Sequence, residues 1–123
     1  MISVETSLKE CMGITGAVAC ALVDYTSGMT LGSLGGDRDF DIEVAAAGNT
    51  DVVRAKLRTM SDLGIQEDIE DVLITMDRQY HIIRPVRSSR GAGLFLYLVL
   101  NRDQANLAMA RRLLQNIEVD LDV

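Results

Sequence analysis

Residues 39–63 read DFDIEVAAAGNTDVVRAKLRTMSDL. No proline interrupts the stretch, and its apolar residues recur with helical spacing. With Ala46 placed at zero and about 100° taken per residue, Ile42, Val53, Leu57 and Met60 fall within about 40° of it. Ala45, Val52 and Leu63 form a second stripe roughly 100° round, and Val44, Gly48 and Ala55 lie on the far side. A surface helix of a small protein needs one apolar stripe to seat it on its own core. A second stripe, with Ala45-Ala46-Ala47-Gly48 small enough for backbones to approach, points to contact with a second chain. Asp37, Asp39, Asp41 and Glu43 crowd the start, where anions complement the helix dipole, and Gly64 supplies the stop.

On either side of this helix the pattern changes to strands. Residues 17–23 are apolar on both parities, Val18, Cys20 and Leu22 against Ala17, Ala19, Ala21 and Val23, so both faces are covered. Asp24-Tyr25-Thr26-Ser27-Gly28 is turn chemistry, and residues 29–34 return as the second arm of a hairpin. Gly32, Gly35 and Gly36 suit an edge or a bulge there. After a polar link at 67–70 come strand-like segments 72–76, 80–86 and 94–100. Asp77-Arg78 reads as a tight hairpin, and residues 87–93 as a longer loop. The 94–100 segment is again apolar on both parities and belongs beside 17–23. A short helix at 3–12, capped by Ser3 or Thr6, carries Val4, Leu8, Cys11 and Met12 on one face. A final helix, capped by Asp103, aligns Leu107, Ala110, Leu114, Ile117 and Leu121.

The order α-β-β-α-β-β-β-α predicts an α/β three-layer sandwich. A five-stranded, mainly antiparallel sheet carries the long helix on one face and the two terminal helices on the other, with 72–76 at an edge. The 123 residues suffice for one domain, 1–123. A net charge of −6 argues against nucleic acid or an anionic membrane as ligand. Cys11 and Cys20 lie in no metal or CxxC pattern and read as buried, reduced residues, in keeping with the cytosol. The start of the chain has no signal-peptide pattern, and apolar runs of about eight residues are too short to span a membrane.

No catalytic constellation stands out. Asp37-Arg38-Asp39-Phe40-Asp41 resembles half a calcium loop, but Ile42 occupies the position of the turn glycine and Gly48 that of the bidentate glutamate. Gly32-Ser33-Leu34-Gly35-Gly36 lacks the Gly-Lys-Ser/Thr of a phosphate loop, and Leu31 replaces the first glycine of a nucleophile elbow. His81, the single histidine, has no sequence neighbour to make it a base and reads as a partly exposed sheet residue. Arg54 and Arg58 stand one turn apart on the long helix, with Asp51 placed to pair with Arg54. They read either as a solvated face or as a partner-binding one. Arg111-Arg112 reads as solvated, and Arg84, Arg87 and Arg90 as a modest basic cluster.

The whole pattern resembles the roadblock/dynein light-chain domain family, in particular stand-alone bacterial members of the actinobacterial kind. The resemblance is carried by residues 16–24 with the turn at Gly28, by Ala45-Ala46-Ala47-Gly48-Asn49-Thr50-Asp51, by Asp71-Val72-Leu73-Ile74-Thr75 and by residues 94–101. It implies a non-enzymatic protein without cofactor or metal. It also implies a homodimer joined through edge strands and adjacent long helices, here Ala45, Val52, Leu63, Val72, Leu73, Ile74 and Thr75. Its implied partner is a Ras-like small GTPase, met by Val44, Gly48, Asp51, Arg54, Ala55 and Arg58. Two other readings stand beside this one. A small-molecule sensor would need a polar-lined pocket between sheet and helix, and a structural adaptor would ignore nucleotide state.

Overall fold

The computed structural model describes residues 1–37, 39–87 and 92–122. The elements follow in the order α1 (Val4–Met12), β1 (Ala17–Asp24), β2 (Met29–Gly35), α2 (Ile42–Asp62), β3 (Val72–Thr75), β4 (Gln79–Pro85), β5 (Leu94–Asn101) and α3 (Leu107–Asp120). The strands form one sheet in the order β2-β1-β5-β4-β3, and every neighbouring pair is antiparallel. Strands β1 and β5 are central, as their two-sided apolar patterns predict. Cys20 pairs with Leu98 and Ala21 with Tyr97, so like parities share a face.

One face buries Cys20, Leu22, Ile82, Leu96, Leu98 and Leu100 beneath α1 and α3. The other buries Ala19, Ala21, Val23, Ile83, Phe95, Tyr97 and Val99 beneath Ala46 and Val53 of α2. At the β2 edge the register slips between Leu22 and Val23, leaving Leu31 as the extra residue of a bulge. A Cβ at Gly32 would meet Leu8 Cδ1 of α1 at 2.9 Å, so that side chain would have to shift to admit a larger residue.

The helix ends follow local chemistry. Ser3 caps α1, its Oγ accepting from the Thr6 amide. Asp41, the third of the four crowded acids, caps α2 by accepting from the Glu43 and Val44 amides. At the far end Gly64 takes φ +70°, and the amides of Gly64 and Ile65 return to the carbonyls of Ser61 and Met60. The cap of α3 corrects the sequence reading. Asn106, not Asp103, accepts from the Met109 amide, because the backbone first turns back on Asn101 through Gln104 and Ala105.

Both cysteines are free and fully buried, and the Cys20 thiol donates to the Leu8 carbonyl at 3.4 Å. The adjacent Cys20 sulfur and burial push the Cys11 thiol well above its ordinary range, which keeps it protonated.

Two arginines also depart from the reading above. Arg84 belongs to no surface cluster. It is 2% exposed and its Nε donates to Glu118 of α3 at 3.1 Å inside the α1/α3 layer. Arg90, the third member of that cluster, lies outside the described residues, as does Arg38 of the calcium-like segment. Arg111 is not simply solvated, because it grips Asp71 through two hydrogen bonds of 2.8 and 3.1 Å and fastens α3 to the start of β3.

A buried ion pair costs more to halve than to replace. Glu118→Ala leaves the Arg84 guanidinium unpaired and is expected to cost about 3–5 kcal/mol in urea unfolding. The apolar double substitution Arg84→Met with Glu118→Leu should cost much less. A double variant as unstable as the single one would contradict this account.

Candidate partner surface on the long helix and edge strand

The stripe on α2 that faces its own sheet is Ala46, Thr50, Val53 and Met60, all buried, flanked by half-buried Ile42 and Leu57. Thr50 can join an apolar stripe because its hydroxyl is consumed within the helix, donating to the Ala46 carbonyl at 2.9 Å. Of the second stripe, Ala45 is half-buried against the core, whereas Val52 and Leu63 are exposed. On the far side Val44 is 68% exposed, and Gly48, Asp51, Ala55 and Arg58 are also exposed. A Cβ added at Gly48 would meet nothing within 4 Å. A mid-helix glycine costs about 1 kcal/mol relative to alanine, and no contact within this chain requires it.

Arg54 is differently employed from its expected pairing with Asp51. Its Nε donates to the Tyr25 carbonyl at 2.7 Å, and its Nη2 donates to the Thr26 carbonyl. The guanidinium thus holds the β1–β2 turn against α2. Tyr25 is fixed further by its amide bond to the Gly93 carbonyl and by stacking on Phe95. Of the two candidate arginines, Arg58 has no such engagement with the turn.

The helix packs its backbone nearest to β1 and β2. The β4–β3 half of the same face is less covered, and Val72, Ile74 and His81 there are only half-buried. Leu73, on the opposite face, is 38% exposed, and Thr75 is exposed. The outer edge of β3 has no partner strand among the described residues. The hairpin register shows which backbone groups line that edge. Met76 N–H bonds to Gln79 O, so Ile74 and Val72 also point their backbone groups inward to β4. Leu73 and Thr75 therefore present theirs outward.

His81 does have a partner, from a strand far away in sequence. Its Nε2 donates to Gln79 Oε1 at 3.0 Å, and its Nδ1 accepts from the Tyr97 hydroxyl at 2.8 Å. Burial raises the pKa of the phenol, opposed by a hydrogen bond from Asn49 of α2. Phe40 meets the imidazole edge-on at 6.2 Å. This network satisfies neutral imidazole. No group of three or more metal-ligating side chains occurs among the described residues, and no buried side-chain nitrogen or oxygen there lacks a hydrogen-bond partner. No described helix is long and apolar enough to cross a membrane.

No protein-family profile and no curated protein sequence matches the chain. Solved structures do match. A Roadblock/LC7 domain from Streptomyces avermitilis aligns with TM-score 0.77 at 14% identity, over 93% of this chain and 90% of that one. MglB from Myxococcus xanthus gives 0.81 at 15% identity, over 94% and 82%. The gliding protein MglB from Thermus thermophilus gives 0.70 at 17% identity, over 95% and 89%. The chain has the roadblock/LC7 fold.

Burial lowers the pKa of His81, so the unfolded chain binds its proton more readily than the folded one. The associated stability is complete above the unfolded value of about 6.5 and is lost as pH falls below it. Thermal melts between pH 7.5 and pH 5 should therefore show wild type losing stability, and His81→Gln losing less over the same interval. Parallel pH profiles for the two proteins would exclude this origin.

Proposed function

We propose that the chain is a non-enzymatic, homodimeric regulator or scaffold for a Ras-like small GTPase, acting as one unit over residues 1–123. The observation that carries the reading is the unfinished α2 face. One helix covers half of a five-stranded face, and the other half ends at an edge that has no partner strand among the described residues. A second copy would complete the helix layer with its own α2 and extend the sheet through β3. The symmetric, self-complementary arrangement suits a two-fold dimer. Ala45, Val52, Leu63, Val72, Leu73, Ile74 and Thr75 would lie in that interface.

The partner surface would be the outward side of the paired helices, comprising Val44, Gly48, Asp51, Ala55 and Arg58. Arg54 contributes by holding the adjacent turn. The bare Gly48 backbone supports close approach by another protein. The nature of that protein comes from the roadblock fold, whose family resemblance implies a small GTPase. Saturated hydrogen bonding in the described core weighs against the sensor reading, since no buried polar group there awaits a ligand. The compartment that fits a free-thiol protein of this kind is the cytoplasm.

Sedimentation equilibrium at roughly 20 µM should find a dimer, as an interface of ordinary size would be populated there. Leu73→Pro removes an outward amide and no ladder bond, so it should yield a folded monomer. A wild-type monomer would refute the dimer. Arg58→Glu should weaken binding to a Ras-like small GTPase from the same genome while leaving dimer and melting temperature unchanged. The measurement compares that GTPase loaded with GDP and with a GTP analogue. No binding in either state would refute the regulator, and equal binding would leave the adaptor.

A further inference from the structure

A thread of polar side chains crosses the less covered half of the α2 face. It runs in series from β4 to the helix through Gln79, His81, Tyr97 and Asn49. His81 Nε2 donates to Gln79 Oε1 at 3.0 Å, and its Nδ1 accepts from the Tyr97 hydroxyl at 2.8 Å. The phenol oxygen accepts in turn from the Asn49 amide. Asn49 is half-buried and lies about 40° from Ala45 on the helical wheel, on the flank of α2 that turns toward β4. The thread therefore ends on the stripe that a second copy would cover.

Each link has one direction while the imidazole is neutral. Protonation turns Nδ1 into a donor. Tyr97 Oη would then accept from His81, and its own proton would need a new acceptor. Asn49 can supply one only by turning its amide over, so that Oδ1 replaces Nδ2. One proton on β4 thus reverses both bonds between His81 and the long helix.

The surroundings offer an imidazolium no counter-charge. Ile74 of β3 and Val99 of β5 stand opposite His81 in the sheet, and Phe40 meets its ring edge-on. The α2 flank that bears Asn49 also bears Lys56, exposed and of the same sign as the cation. Of the acids beside Phe40, Asp41 spends its carboxylate on the cap of α2, Asp37 on the Asp39 amide, and Asp39 is exposed. Burial lowers the pKa of His81 and no carboxylate opposes it.

We propose that His81 is a pH-sensitive latch on the homodimer, holding two copies together while neutral and releasing them when protonated. The inference rests on the dimer proposed above. A partner's α2 laid over β4 and β3 would complete the burial of a ring that is half-buried in one copy. A buried imidazolium without a carboxylate is costly, so the dimer takes up the His81 proton less readily than the monomer does. Association is then at full strength above the ordinary histidine value of about 6.5 and weakens as pH falls below it, with one His81 contributing from each copy.

The test is sedimentation equilibrium of the full chain at pH 7.5 and pH 5.5, with far-UV circular dichroism on the same samples. The dimer Kd of wild type should rise about tenfold or more at the lower pH with the helical signal retained. His81→Gln and His81→Leu should keep Kd within about twofold over the same interval. His81 is the only histidine, so its ring Cε1–H resonance can be followed alone by NMR. Its titration midpoint should be lower at protein concentrations well above Kd than well below it, as linkage demands. Parallel Kd profiles for wild type and both variants, or a midpoint independent of concentration, would overturn the latch and leave the dimer standing. Dissociation that tracks loss of the helical signal would overturn it in favour of acid unfolding. A wild-type monomer at pH 7.5 would overturn latch and dimer together.

Discussion

Strands β1 and β5 lie side by side with both faces dry, and the remaining elements are placed by the need to cover them. A strand apolar on both parities cannot be edge or surface, so it demands a layer above and a layer below. The chain meets the demand unequally. Two short helices share the Cys20–Leu98 face, and one long helix takes the Ala21–Tyr97 face. One cylinder about 10 Å wide cannot roof five strands spaced about 4.8 Å apart. The shortfall appears at β4 and β3, where His81, Ile74 and Val72 remain half-exposed.

Much of this layout is legible in the sequence because it rests on periodicity. The two double-sided strands, the edge position of 72–75 and the long helix are all functions of local pattern and short turns. What local pattern does not carry is polar and long-range. Arg54 reaches back 29 and 28 residues to the carbonyls of Tyr25 and Thr26, and Arg111 spans 40 residues to Asp71. No local spacing encodes such pairs. The Arg84–Glu118 pair does leave a trace. Arg84 shares parity with Ile82 in β4, and Glu118 stands one turn beyond Leu114 in α3, so opposite charges occupy two core-facing positions. A search for apolar stripes passes over charges, and it passes over Thr50 for the same reason.

The α2 surface shows how a residue's place can be legible in the sequence while its contacts are not. Arg54 reads in sequence as either solvated or partner-binding, and it is a strut between helix and turn. The site is better described by what α2 leaves unused. Gly48 has open space where a side chain would stand, Val44 and Leu63 are two-thirds exposed, and Arg58 has no engagement with the turn. Exposed apolar residues taken singly are ordinary. Their alignment with a helix-destabilising glycine and an uncovered half-sheet is what gives them direction.

The two faces differ in what they leave open, and the difference follows from how many helices cover each. The α2 surface is broad and built of small and apolar side chains along the flank of a helix, so the dipole contributes little and shape dominates. On the other face α1 and α3 run antiparallel, with the Ile2 amide on the Asp120 carbonyl and the Asn101 amide on the Gly16 carbonyl, so opposite helix ends lie side by side and their dipoles compensate. Two helices thus close that layer against each other, whereas the single helix leaves half of its own face open. An interface formed along Val52, Leu63 and the β3 edge would be held by area, and should respond little to raised salt. The sheet between the two layers is filled with close-packed side chains on both sides, so the α2 surface and the α1/α3 layer share no residue.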